Sequence, residues 1–204
     1  GAMNQLGTLT QRLKVARMLI VTDPQLVAAG LLDLVRSPLE SAGIEVEVFA
    51  GGEPEPAITT AEQAIEVARH CSPNGVLGLG GGSNMDLAKI TAIALTHGGS
   101  PHDYFNWDNV PGPVCPLVCV PTTSGTGSEV SHAAVLTDVE NEMKVSTLSN
   151  YIRPALAVVD PDLTISCPPQ ATADSGIDGL THAVAAYTAV DSQKLAVPPG
   201  ERWP

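Results

Sequence analysis

The segment GLGGGSNMDLAK, residues 78 to 89, sets four glycines and a serine within six positions and then turns into a helical pattern. Gly80, Gly81 and Gly82 lack a Cβ, so the backbone there can take positive φ and approach a bulky ligand closely. Ser83 suits a helix N-cap, with Asp86 three residues on. A helix that starts directly after a buried strand presents N–H donors and a partial positive charge, the chemistry of a phosphate or pyrophosphate site. The alternative reading is a tight turn that uses glycine for packing. The loop also differs from the usual G-x-G-x-x-G, because it follows the third strand and not the first.

Two further clusters carry polar chemistry. PTTSGTGSEVS (121 to 131) lines up Thr122, Thr123, Ser124, Thr126 and Ser128 with Gly125 and Gly127. Hydroxyls and glycines at that density suit the phosphate and sugar groups of a ligand, or a solvated loop rich in turn formers. In SGIDGLTHAVAAY (175 to 187), Asp178 and His182 lie four apart on a predicted helix and share a face. Such a pair can hold one divalent ion or form a helix-surface hydrogen bond.

The elements that must position these clusters follow from periodicity. Apolar runs predict strands over 15–22, 44–50 and 75–80, with helices over 24–43 and 59–71 between them. Strand, helix, strand, helix, strand argues an α/β fold with a doubly wound, mostly parallel sheet, whose ligands bind at the carboxyl ends of the strands. Further strands are expected over 114–121, 131–138 and 155–160. From 131 onward the turns are too short for helical crossovers, so part of this region should be an antiparallel hairpin. From Pro168 to about Thr188 the pattern is helical, and DSQKLAVPPGERWP (191 to 204) is proline-rich with no periodicity. The expected division is an α/β domain over 4–165 and the start of an all-α domain over 166–204. Gly1–Met3 resembles a tag remnant and is left out of the expected fold.

Composition narrows the function classes. The chain has 204 residues, 44% of them hydrophobic, enough for a sizeable core. Its net charge of -12 disfavours nucleic acid and anionic membrane surfaces as partners. There is neither an apolar run of about 18 to 20 residues nor a signal-peptide pattern, so the expected location is cytoplasmic. Cys71, Cys115, Cys119 and Cys167 show no C-x-x-C spacing and read as reduced core thiols.

In this order, GGGSNMDLAK, PTTSGTGSEVS, RPALAVVDP and GIDGLTHAVAAY resemble the iron-dependent (group III) alcohol dehydrogenase family over residues 15 to about 190. The resemblance implies a Rossmann-like, dehydroquinate synthase-like cofactor domain followed by a helical metal and substrate domain. It implies hydride transfer between an alcohol and an aldehyde or ketone, with nicotinamide as the other partner. A divalent metal, commonly iron and sometimes zinc, polarises the substrate oxygen. Carried over by position, Gly81, Gly82, Ser83 and Asp86 fall in the pyrophosphate loop, and Thr122, Thr123 and Thr126 meet the cofactor from the other side. Lys144 matches a lysine near the cofactor, while Val135 and Leu163 match wall positions that core packing would explain equally well. Asp23 matches an acidic residue near the adenosine ribose, where an anion repels a 2′-phosphate, so NAD is expected over NADP. Asp23 reads equally as a helix cap. Asp178 and His182 match two metal ligands, and no catalytic residue is expected beyond the metal site.

The sequence departs from the family at three places. Two further metal-binding histidines of the family have no counterpart, since His70, His97, His102 and His132 lie in the cofactor region. Weak or no metal binding, and little activity, are therefore expected of what reads as a fragment. Glu55 stands in EPEPAIT (53 to 59) where the family carries an asparagine, and only a few residues precede KVARMLIVTD, where relatives carry an additional strand pair. The competing expectation is a stand-alone nucleotide-binding or dimerising module without catalysis. Ile177, Leu180, Val184 and Tyr187 form an apolar helix stripe that a homo-oligomer would cover.

Overall fold

The structure, a computed structural model, describes residues 1–189; the non-periodic tail at 191–204 lies outside the described residues. Helix α1 (Leu6–Arg12) precedes strand β1 (Arg17–Val21). Helices α2 (Pro24–Ala28) and α3 (Leu31–Ser41) lead to β2 (Glu45–Phe49), and α4 (Ile58–Cys71) leads to β3 (Gly75–Gly80). Then follow α5 (Gly82–His97), β4 (Asn106–Trp107), β5 (Leu117–Pro121), β6 (Ala133–Asp138), β7 (Met143–Leu148), β8 (Leu156–Ala157) and α6 (Pro169–Thr188).

The central sheet has the order β2-β1-β3-β5-β8 and every pairing in it is parallel, as the alternating pattern predicts. Its inner strands are buried on both faces, which is why they read as unbroken apolar runs. Met18, Ile20, Leu77 and Leu79 pack with Leu6, Val35 and Leu39 on one face. Leu19, Val21 and Val76 pack with Ala61, Ile65 and Ile90 on the other. Helix α5 lies so close to β3 that a Cβ on Gly78 would stand 2.9 Å from Met85 Cα. Glycine at that position sets the height at which the helix starts.

The expected hairpin is β6 with β7, antiparallel from Ala133 opposite Leu148 to Asp138 opposite Met143. Strand β7 lies outside the sequence expectation, because MKVSTL, the half-exposed middle strand of the small sheet β4-β7-β6, carries little apolar signal. Three other expectations need correction. The single helix over 24–43 breaks at Gly30, whose φ of +75° takes the chain out of helical geometry. The strand over 155–160 is confined to Leu156–Ala157, since Asp160 caps a turn at Pro161–Thr164. Met3 belongs to the fold: its side chain is buried and its N–H donates to Asp160 at 2.8 Å. Among the described residues no helix is long and apolar enough to cross a membrane.

Candidate functional site

The carboxyl ends of β1, β3 and β5 stand side by side and release Asp23, the glycine loop and the threonine loop on one edge of the sheet. The Thr122 N–H donates to the Gly80 carbonyl at 3.0 Å, which fixes the two loops against each other. A Cβ on Gly82 would stand 3.1 Å from Thr126 Cγ2, so glycine keeps the gap between them open. The N-cap of α5 is Gly81, and no side chain caps it. Ser83, expected to be that cap, sits inside the first turn and accepts the Glu55 N–H at 3.2 Å. Glycine fits a cap position nearly as well as serine does, which the sequence pattern does not separate. Of the three loop glycines only Gly80 takes positive φ, at +142°. The result is a 16-residue helix whose first N–H groups meet no capping side chain, an arrangement suited to an anion.

Two hollows meet at the Gly81–Gly82 step. One, of about 260 Å³, is lined by Asp23, Gly81, Thr122, Thr123 and Leu163. The other, an open cleft of about 610 Å³, is lined by Gly82, Ser83, Asp86, Thr126, Val135 and Lys144, with Asp178 and His182 also on its wall. Every residue singled out as a site residue lines one or the other. Asp23 does cap α2: its Oδ1 accepts the N–H groups of Gln25 at 2.8 Å and Leu26 at 3.0 Å. Leu163 is buried and serves core and wall at once. Lys144 Nζ pairs with Glu55 Oε1 at 2.7 Å, so Glu55 adds a carboxylate to the cleft where an amide was expected by resemblance.

Sequence reading missed Lys89, which is fully buried within α5. Its Nζ donates to Ser128 Oγ at 2.8 Å, Ser131 Oγ at 3.0 Å and the Ala133 carbonyl at 2.7 Å, and stands 3.4 Å from Asp86 Oδ1. Asp86 in turn accepts from Ser128 Oγ at 2.6 Å and from the Val135 N–H at 3.0 Å. Burial pushes the Asp86 carboxyl up and the Lys89 ammonium down, and in each case the other's charge is the main opposing effect. Lys89 thus ties α5, the threonine loop and β6 together directly behind the cleft wall. The one available signal was a lysine within the apolar run LAKITAIAL, three residues after Asp86.

Helix α6 crosses the threonine loop at Gly125, where a Cβ would overlap the Ser175 carbonyl. That crossing brings Asp178 and His182 to the cleft, with Oδ1 and Nε2 3.6 Å apart. An imidazole nitrogen beside a carboxylate oxygen suits iron(II) or zinc(II). Among the described residues no group of three potential donors forms. His97 bonds the Gly112 carbonyl at 3.0 Å and His132 packs edge-on to Trp107.

The sequence profile described as iron-containing alcohol dehydrogenase matches residues 1–161. The chain belongs to this family. It is 44% identical over 195 residues to long-chain-alcohol dehydrogenase 1 of Geobacillus thermodenitrificans, covering 94% of this chain and 49% of that protein. It superposes on the crystal structure of a 1,3-propanediol oxidoreductase with a TM-score of 0.88 and 36% identity, covering 94% of this chain and 50% of that one. The sulfoacetaldehyde reductase of Bifidobacterium kashiwanohense in complex with NAD+ matches with a TM-score of 0.81 at 30% identity, over 92% of this chain and 50% of that one. The chain therefore spans about half the length of the iron-containing alcohol dehydrogenase relatives it matches.

Proposed function

We propose that this chain carries the dinucleotide-binding half and two metal donors of an NAD-dependent alcohol dehydrogenase. The reaction is hydride transfer between a small alcohol or its aldehyde or ketone and nicotinamide. The observation that carries this reading is the uncapped start of α5, framed by Asp23 on one side and the threonine loop on the other, in a cleft that also holds Asp178 and His182. In this reading the N–H groups of Gly82 and Ser83 receive the pyrophosphate, with Thr122, Thr123 and Thr126 closing from the opposite wall. Asp23 accepts ribose hydroxyls and rejects a 2′-phosphate. Lys144, Val135 and Leu163 bound the cofactor further out, with residues 4–165 as the cofactor domain and the helical domain starting at 166.

A divalent ion held by Asp178 and His182 would polarise the substrate oxygen and ease hydride loss or gain. Two protein donors hold an ion loosely, so turnover by these 204 residues alone should be small. This reading places the chain in the cytoplasm, a reducing compartment in which its four cysteines would stay as thiols.

One observation favours a second reading, a dimerising nucleotide-binding module. Ile177 and Tyr187 on α6 are 64% and 91% exposed, and Leu180 and Val184 lie on the same apolar stripe. A concentration-independent dimer by light scattering would support it, whereas a monomer at all concentrations would remove it.

Calorimetric titration of NAD and NADP into the chain tests the main reading. NAD should bind in the micromolar range and NADP at least about tenfold more weakly, the gap corresponding to roughly 1.4 kcal/mol of charge repulsion. Asp23→Ser should close most of that gap. A folded chain that takes up no NAD refutes the reading.

A further inference from the structure

We propose that Asn84 is a positioning residue that fixes the plane of the Asp23 carboxylate and thereby sets the preference for NAD over NADP. The inference rests on the cofactor reading above and extends it to a residue that does not line either hollow. Asn84 lies in the first turn of α5 and is 3% exposed. Its side chain reaches back under the sheet edge, where Nδ2 donates to Asp23 Oδ2 at 2.7 Å and to the Leu79 carbonyl at 3.0 Å. A carbonyl accepts only, so both amide hydrogens are used and the orientation of the amide is settled.

Asp23 is thus held through both oxygens. Oδ1 takes the two backbone N–H groups of the α2 cap and Oδ2 takes Asn84. A carboxylate anchored at one oxygen still turns about its Cβ–Cγ bond, whereas one anchored at both presents its charge in a single direction. The fold reserves room for this contact. A Cβ on Gly80 would run into Asn84 Nδ2, and one on Gly52 would run into Asn84 Oδ1. Gly52 is itself held to the end of β1 by its N–H to the Thr22 carbonyl at 2.9 Å. Three chain segments therefore close around one amide. Because that amide is neutral, it orients Asp23 without cancelling its charge. A lysine or arginine in the same place would neutralise the anion that excludes a 2′-phosphate.

The test is a double-mutant cycle with Asn84→Ala, Asp23→Ser and the double variant, each titrated with NAD and with NADP, with Asn84→Ser as a second probe should the alanine variant fold poorly. In Asn84→Ala the Kd for NAD should rise about fivefold and that for NADP should change little, so their ratio shrinks. On the Asp23→Ser background Asn84→Ala should leave the ratio where it is. Equal weakening of both dinucleotides, or an unchanged ratio, overturns the positioning role. A wild-type chain that binds NAD and NADP equally well overturns the cofactor preference itself, and is told apart from the former by being visible before any substitution.

Discussion

Replacing Lys89 by methionine is expected to lower the melting temperature by about 10 °C and to make the loss depend on pH. Methionine keeps the unbranched stem of the side chain but removes the charge and all its donated bonds. Asp86, with a side chain only 15% exposed, is then left without its counter-ion. Breaking a buried pair by removing one member costs on the order of 3–5 kcal/mol, and in a domain of this size each kcal/mol moves the midpoint by about 2–4 °C. The sign of the pH effect follows from the direction of the Asp86 shift. Burial holds this carboxyl above its ordinary value, so protonation favours the folded state. Its contribution is present below the unfolded carboxylate pKa and is lost as pH rises through the folded one. Without Lys89 the main opposing charge is gone and the shift grows. The deficit against wild type should therefore be smaller near pH 4, where only the lost donated bonds remain, and full at neutral pH, and Asp86→Asn in the same chain should remove the pH dependence. Thermal melts of the two variants from pH 4 to 8 check this; a midpoint within 2 °C or so of wild type throughout would falsify it.

The difference between what was legible in the sequence and what was not is physical. Asp23, the glycine loop and Thr122 could be read because each directly follows a buried strand of a parallel sheet, and the ends of adjacent strands lie together whatever the loops do. Asp178 and His182 could be paired because helical spacing alone puts them on one face. Lys89 and Asn84 could not be assigned, although both sit in the most conspicuous motif of the chain. Hydropathy along α5 says only that the helix is buried. Which polar groups meet Lys89 is decided by Ser128, Ser131 and Ala133, some forty residues later, where a loop and β6 fold back over the helix. Asn84 likewise meets a residue from the end of β1, through space cleared by Gly52 and Gly80. The break at Gly30 was hidden for a different reason: the apolar spacing continues on both sides of it, and the pattern carries no record of a backbone dihedral.

Gly125→Ala should leave cofactor binding nearly intact while uncoupling it from the metal. The Cβ it adds overlaps the backbone carbonyl of Ser175, which cannot rotate away as a side chain would, so the two backbones must part, and α6, which has no buried residue, is the one expected to move. That shift is cheap for the same reason. Stability should stay within about 1 kcal/mol of wild type, as for other changes that disturb no core packing. Asp178 and His182 travel together on one helix, so their own spacing survives and zinc(II) alone should bind much as before. What changes is their position relative to the start of α5. In the wild-type chain a dication on that pair would share the cleft with an anionic dinucleotide, and attraction across it should tighten each ligand about fivefold in the presence of the other. Because such coupling is reciprocal, titrating NAD with and without zinc(II) and zinc(II) with and without NAD must return the same factor. In Gly125→Ala that factor should fall toward one. If it persists, the metal pair does not depend on the crossing at Gly125 for its place in the cleft; if it is absent in wild type as well, Asp178 and His182 hold no ion close enough for the cofactor to sense.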